Sequence, residues 1–140
     1  MEIRRARPDE IAACAALYVQ VLTETFTWMA PERHRAQDFI RAAADEEVYV
    51  AIDEGRLVGL AAFHRAQDFL HSLYVTDRGH GVGKALLERV FQEAGGRLVL
   101  KVQVANLRAQ AFYAREGFRR LERGRDPDSD IEWIRLVKVS

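Results

Sequence analysis

The chain is 140 residues long, close to the commonest size of one domain, and its hydrophobic (49%) and charged (30%) fractions suffice for a packed core. Its 21 basic and 21 acidic residues cancel, which removes the general positive surplus expected of a nucleic-acid binder or a protein held on a membrane surface. No apolar run approaches the roughly 20 residues of a bilayer span, "MEIRRARPDE" lacks the apolar core of a secretion signal, and the single cysteine, Cys14, forms no internal disulfide and suits a reducing cytoplasm.

"EIRRAR" alternates weakly and reads as a first strand. Pro8 suits a first helical position, with Asp9 and Glu10 favouring the positive end of the helix dipole. That helix is expected to run to about Phe26, with Cys14 on an apolar face shared with Ile11, Tyr18 and Val21, where packing rather than catalysis is its role. "FTWMAPER" breaks the pattern, and a second helix follows through "RHRAQDFIRAAAD", with Pro31 placed to open it. "VYVAID", "LVGLAAFH" and "FLHSLYV" read as a three-strand meander whose first turn is Asp53-Glu54-Gly55-Arg56. Val82, Leu86, Leu87, Val90 and Phe91 then recur at helical spacing until Gly95-Gly96 stops the helix. "RLVLKVQV" alternates, Leu98, Leu100, Val102 and Val104 against Lys101 and Gln103. Asn106 caps a short helix that Gly117 is placed to end in a left-handed conformation. "FRRLER" and "IEWIRLVKV" close the chain as two strands around "GRDPDSD". With no repeat, low-complexity tract or linker, residues 1–140 read as one mixed α/β domain, ordered β, α, α, three strands, α, β, α, two strands.

The unusual stretch is "YVTDRGHGVGKALLERVF", residues 74–91, in which Gly79, Gly81 and Gly83 alternate between a strand and a helix. Glycine takes positive φ and lets a ligand reach its amide, so successive amides there, with the helix N-terminus, suit an anion. Arg78 and Lys84 add charge at the rim, and a phosphate or pyrophosphate ligand follows. Two familiar loops do not fit. A Walker A loop ending at Gly83-Lys84 requires glycine where Arg78 stands and a hydroxyl where Ala85 stands. A dinucleotide fingerprint starting at Gly79 or Gly81 finds Lys84 or Leu86 in place of its third glycine. A turn serving chain geometry alone is the remaining alternative.

"RGHGVG" resembles the R/Q-x-x-G-x-G/A signature of the GNAT superfamily of N-acetyltransferases, and "NLRAQAFYAREGF" is similar to that superfamily's N-x-x-A-x-x-F-Y-x-x-x-G-F segment. The element order agrees along essentially the whole chain. The resemblance implies a largely antiparallel central sheet of about seven strands, flanked by about four helices, in which the parallel strands ending near Val75 and Val104 splay apart. Acetyl-CoA would lie in that gap as co-substrate, with the backbones of Leu73 and Val75 bonding its pantetheine arm as an added strand does. The resemblance further places the phosphates on Arg78, Gly79, His80, Gly81, Val82, Gly83 and Lys84. Asn106 would meet the cofactor arm or the acceptor, and Ala109 and Phe112 would pack beside the cofactor. His80 departs from the basic residue often found between those glycines, which weakens charge pairing and leaves the amide cradle intact.

Carried over in the same way, Tyr113 matches the tyrosine proposed to protonate the departing thiolate. A phenol with a pKa of about 10 keeps its proton at neutral pH and can donate it to sulfur. Taken without the flanking motif, a helix tyrosine packed with Phe112 and Phe118 is the simpler account; the motif favours catalysis. The tetrahedral intermediate needs a donor, for which a backbone N–H near Val75 is a candidate. His71 is a candidate base acting through water, or a histidine satisfied on a sheet face. Glu24 and Glu132 read as solvated charges before bases. His64 and His71 lack a third metal ligand, so no metal is expected.

Phe26 and Trp28, with Met29, sit at the break between the first two helices and are candidates for an acceptor pocket, or for core. The loop from Gly124 to Asp130 is a second border. The expected activity is acetyl transfer to a primary amine, on a small molecule or a peptide, by direct attack in a ternary complex. The competing class is a non-catalytic acyl-CoA-binding module. Neither nucleic acid nor membrane is an expected partner, and the protein is expected to be a cytoplasmic monomer or homodimer.

Overall fold

A computed structural model describes residues 1–25, 36–76 and 80–140. Phe26, Trp28, Met29 and the proposed helix opening at Pro31 lie outside the described residues, as do Arg78 and Gly79.

Among the described residues the order is β1 (Glu2–Arg5), α1 (Ile11–Thr25), α2 (Ala36–Ala43), β2 (Glu47–Asp53), β3 (Arg56–His64), β4 (Phe69–Val75), α3 (Val82–Ala94), β5 (Arg97–Gln103), α4 (Leu107–Arg115), β6 (Arg119–Arg125) and β7 (Glu132–Val139). The expected sequence of elements is therefore the observed one. The strands form one sheet in the order β1-β2-β3-β4-β5-β7-β6, and every neighbouring pair is antiparallel except β4–β5.

Pro8 takes a first helical position, with Asp9 and Glu10 in its first turn, but the opening turn Pro8–Glu10 is 3-10 and the α-helix proper begins at Ile11. Glu10 explains this, because its carboxylate accepts 2.7 and 2.8 Å bonds from the Arg4 guanidinium and a 2.7 Å bond from the Arg7 backbone N–H. Those donors pull its carboxyl down to about 2 and hold the turn against β1.

The sheet is covered differently on its two faces. On one, α3 and α4 bring Val82, Leu86, Leu87, Val90 and Tyr113 onto Tyr49, Ala51, Ala61, Phe63, Leu98, Leu100, Val102, Ile134 and Leu136. On the other, α1 and α2 bring Cys14, Leu17, Val21 and Phe39 onto Val48, Val50, Leu60 and Ala62. Cys14 is fully buried there and its thiol is pushed up to about 11 by desolvation, as a packing residue should be. β5 and β7 contribute to the first cluster only, so α1 and α2 pack on the half of the sheet made by β2, β3 and β4.

Gly59 sets how closely α3 approaches β3. A Cβ there would lie 2.9 Å from Val82 Cγ1, 3.0 Å from Leu86 Cδ1 and 3.1 Å from Val75 Cγ1, inside van der Waals contact on three sides. Because α3 carries the glycine loop at its N-terminus, this contact positions the site. Gly59→Ala is expected to lower stability by about 1–3 kcal/mol, the usual cost of overpacking, measured as a lower urea midpoint with unchanged m-value.

Candidate functional site

The parallel pairing of β4 and β5 lasts two residues, Phe69↔Val99 and Leu70↔Leu100. Beyond it, β4 stays with β3 to the Gly59↔Val75 pair, while β5 stays with β7 to the Gln103↔Trp133 pair. The two halves of the sheet diverge there. A bulge stands at the point of divergence: β3 pairs Ala62 with Ser72 and Phe63 with Leu70, leaving His71 without a partner. An extra residue bends and over-twists its strand, which turns β4 away from β5. It also resets the alternation. Leu70, Leu73 and Val75 all pack on the α3–α4 side, and Tyr74 packs on the α1 side.

The backbone of β4 is left in a useful phase. Thr76 N–H donates to Val58 C=O at 3.0 Å, so in this antiparallel ladder Tyr74 and Ser72 are the residues that exchange bonds with β3. The N–H and C=O groups of Leu73 and Val75 therefore point the other way, into the space that β5 has vacated. An open strand edge inside a protein is a template for an extended ligand.

This space is a cleft of about 290 Å³. Leu70, Leu73, Leu100, Val102, Asn106, Ala109 and Tyr113 line it from β4, β5 and α4, and Tyr18, Leu22, His71, Ser72, Tyr74, Lys101 and Gln103 complete it. Strand alternation puts Ser72 and Tyr74, and likewise Lys101 and Gln103, on the α1 face. The cleft thus passes through the sheet from one face to the other.

At the C-terminal end of β4, Gly81 precedes α3 with φ 75° and ψ 9°, a left-handed conformation that glycine adopts without strain. A Cβ on Gly81 would meet no protein atom within 4 Å. The first helical bond of α3 runs from Ala85 N–H to Gly81 C=O at 3.0 Å, leaving the Val82, Gly83 and Lys84 amides free of intrahelical acceptors. The first turn of α3 holds no acidic residue, and among the described residues no carboxylate pairs with the exposed Lys84. His80 and Gly81 are exposed beside these amides. A Cβ on Gly83 would come within 3.6 Å of Phe112 Cζ and 3.9 Å of Val75 Cγ1, so the glycine loop, α4 and the end of β4 converge.

Asn106 caps α4, its Oδ1 accepting from Ala109 N–H at 3.1 Å. With the oxygen committed, its side-chain NH₂ is what Asn106 offers the cleft. Tyr113 is 9% exposed, and its ring meets Phe112 and Phe118 edge-on at centroid distances of 5.1 and 5.4 Å. The packing role and the cleft-lining position therefore coexist. Burial pushes the Tyr113 phenol above its ordinary range, and the neighbouring Tyr74 phenol adds to this. Tyr74 is pushed up in the same way by burial and then by Tyr18, against a hydrogen bond from Ser72 that lowers it. The Tyr18 and Tyr74 rings meet at 5.6 Å.

His71 is half exposed and points its Nδ1 at the nearly buried Glu46 carboxylate, 3.1 Å from Oε2. That hydrogen bond holds the imidazole above its usual pKa in spite of desolvation. Glu24 is bonded to Gln20, and Glu132 is held by Arg123 at 3.0 Å and by Arg125; neither lines the cleft. Among the described residues no group of three metal-ligating side chains occurs.

Sequence reasoning proposed Phe26 and Trp28, which lie outside the described residues, for the acceptor side, and did not single out Tyr18, Ser72, Tyr74, Lys101 and Gln103 as lining the cleft. The available signal was a serine and a tyrosine at alternate positions in the otherwise apolar β4.

A mixed sheet with a single parallel pair splayed open beside a glycine-capped helix is the architecture of GNAT N-acetyltransferases. A family model described as the acetyltransferase (GNAT) family matches residues 10–118, and the chain belongs to that family. Solved structures agree in fold. YjaB from Escherichia coli superposes with a TM-score of 0.80 at 24% identity, over 99% of this chain and 97% of the other. The ribosomal-protein-alanine N-acetyltransferase from Brucella melitensis gives 0.71 at 23%, over 100% of both chains. PaiA N-acetyltransferase from Thermoplasma acidophilum, solved in complex with coenzyme A, gives 0.75 at 17%, over 99% and 98%. A comparison with curated proteins gives no match.

The His71–Glu46 pair makes a pH-dependent prediction. His71 is raised in the folded state, so its contribution to stability is full below the unfolded value of about 6.5 and is lost as pH rises through the folded value. Glu46→Gln should bring the His71 titration, followed by imidazole proton NMR, back toward the unfolded value. The stability difference between variant and parent should be larger at pH 5.5 than at pH 8.5.

Proposed function

We propose that the protein transfers an acetyl group from acetyl-CoA to a primary amine, within one domain spanning residues 1–140. The observation that carries this reading is the backbone of Leu73 and Val75, which faces an open cleft flanked by a helix N-terminus with free amides. A pantetheine arm has amides at the spacing an open strand edge bonds, and a pyrophosphate suits the amides of Gly81 to Lys84. Gly81 and Gly83 leave that approach clear of Cβ atoms. The local charge is favourable too, with Lys84 exposed and no acid in the first turn. Arg78 and Gly79, outside the described residues, belong to the same proposed cradle.

With the thioester in the cleft, the chemistry is mostly positioning. A neutral amine attacks the carbonyl carbon and a C–N bond forms. The Val75 backbone N–H is the proposed donor to the carbonyl oxygen as charge develops on it. Collapse breaks the C–S bond, Tyr113 gives its proton to sulfur, and the amine's surplus proton leaves to water, with the cleft-lining His71 as the proposed relay. The tyrosinate then regains a proton from solvent. Burial suits Tyr113 to this role because it keeps the phenol protonated until a stronger base, the departing thiolate, forms beside it.

Among the described residues no helix is long and apolar enough to cross a membrane. With the lone cysteine buried, a reducing cytoplasm is the compartment we propose.

Tyr113→Phe should lower kcat roughly 10²-fold, the usual range for losing a general acid, while calorimetry returns an almost unchanged affinity for acetyl-CoA. An unchanged kcat removes Tyr113 from the mechanism. Gly81→Glu should weaken acetyl-CoA binding at least about tenfold, by charge repulsion at the helix N-terminus and side-chain strain at positive φ. Gly81→Asn tolerates the same backbone and stays neutral, so it should bind more tightly than Gly81→Glu. Equal affinities for the two variants would remove the phosphates from this loop.

A further inference from the structure

Among the described residues no aspartate or glutamate lines the cleft. Carboxylates on neighbouring elements are committed elsewhere. Glu46 is paired with His71, and Glu24 accepts from Gln20. Asp38 on α2 acts on Tyr18 but does not line the cleft. Of the two basic residues along the cleft, His71 is matched by Glu46, and Lys101 sets its ammonium over the Trp133 ring, 4.3 Å from the centroid. The cleft therefore offers an incoming polycation no free carboxylate.

What the α1 side offers instead is an aromatic and apolar wall. Tyr18 and Leu22 stand four residues apart on α1, so both reach the cleft from one helix face. The Tyr18 ring lies 5.4 Å from Phe39 of α2 and 5.6 Å from Tyr74 of β4, tilted to the first and edge-on to the second. Phe39 is buried in the α1–α2 cluster, which anchors the row of rings. Leu22 is buried too, yet it belongs to neither core cluster and borders the cleft. Such a wall favours a flat apolar group, both by the area it covers and by edge-to-face contact. It also penalises an ammonium ion, which loses hydration there without gaining a carboxylate. An amine that enters is shifted toward its neutral form, the form that attacks a thioester.

We propose that the acceptor is a small aromatic monoamine, an arylalkylamine, whose ring packs on Tyr18, Leu22 and Tyr74 while its amino group lies toward Tyr113. This rests on the acetyl-transfer reading and narrows it to a substrate class. The proposed phosphate cradle is at the N-terminus of α3, which packs on the opposite face of the sheet, so the cofactor leaves the α1 wall to the acceptor. The cleft of about 290 Å³ must also admit the thioester end of the cofactor, which favours a small acceptor. Polyamines bring several charges to a wall that pairs none of them, which opposes their entry.

The test uses pairs of terminal amines that differ only in the ring: phenylpropylamine with propylamine, and phenylbutylamine with butylamine. Spermidine and a short peptide with a free N-terminus represent the other acceptor classes. Release of coenzyme A thiol is followed with the full chain, and calorimetry with acetyl-CoA checks that each variant is folded. In at least one pair, kcat/KM for the arylamine should exceed that for its alkyl partner by roughly tenfold or more, since even a methylene in an apolar pocket is worth about that. Leu22→Ala should shrink the ratio severalfold, chiefly through the KM of the arylamine. Tyr18→Phe keeps the ring and should hold the ratio, whereas Tyr18→Ala should lose it. The proposal is overturned by ratios near one in both pairs, by a preference for spermidine or the peptide, or by a ratio unchanged in Leu22→Ala; each leaves acetyl transfer standing. Tight acetyl-CoA binding with transfer to none of these amines also overturns it and leaves the cofactor reading standing. Absence of acetyl-CoA binding instead brings down the underlying reading.

Discussion

Everything in the site descends from one broken ladder. After Leu70↔Leu100, β4 and β5 stop exchanging backbone bonds, although each remains paired on its outer side. Interrupting a parallel pair inside a sheet leaves polar backbone groups without partners, and such groups are costly when dry. Both strands are otherwise fully engaged on their outer sides, which holds the gap in place. The bulge at His71 gives the gap its shape. It turns β4 away and leaves Leu73 and Val75 with outward-facing backbone, a row of unmet bonds that an extended amide-containing ligand can complete.

The surrounding packing reads as support for that gap. Gly59 lets α3 sit close over β3 and β4, which brings the free amides at its N-terminus to the end of β4. Phe112 closes the other side of the same corner by touching the Gly83 position. The Asn106 cap fixes where α4 starts and hence where Tyr113 falls, two turns later, on the helix face toward the cleft. A backbone cradle, an open strand edge and a phenol are thus held by three separate elements around one opening. Glycine recurs at these joints for two different reasons: close packing at Gly59, and left-handed backbone at Gly81.

Much of the fold was legible because its signals are local. The Asn106 cap, the positive φ of Gly55, Gly81 and Gly117, and the 3.6-residue pattern of Val82, Leu86 and Val90 each depend on a few neighbouring residues. The site was legible where it is made of backbone and motif, and illegible where it is made of pairing. Nothing within "FLHSLYV" announces a bulge at His71, since a bulge is a relation between two strands. The same holds for Lys101 and Gln103: alternation opposed them to Leu100 and Val102, and only the loss of β4 from the flank of β5 makes these positions line a cleft. Tyr18 was read as part of an apolar helix stripe, and it is, yet the same ring borders the opening.

The two phenols nearest the splay show why environment decides the role of a residue type. Tyr113 and Tyr74 come from opposite sides of the sheet, and each is pushed up chiefly by burial and further by a neighbouring phenol. Two tyrosinates side by side would repel, so ionising one makes ionising the other harder. At most one proton is therefore available from the pair at a time. Ser72 breaks the symmetry: its hydrogen bond lowers Tyr74, while Tyr113 has only aromatic edges around its ring. Both phenols are nonetheless raised well above the ordinary range, so acidity does not choose between them. The preference for Tyr113 then rests on position, since it stands on the α4 face with Leu73, Asn106 and Ala109, where the pantetheine sulfur would end. Tyr74 stands on the α1 face with Ser72 and Tyr18. Position in the cleft, rather than a favourable pKa, is therefore the ground on which the donor role is proposed for Tyr113.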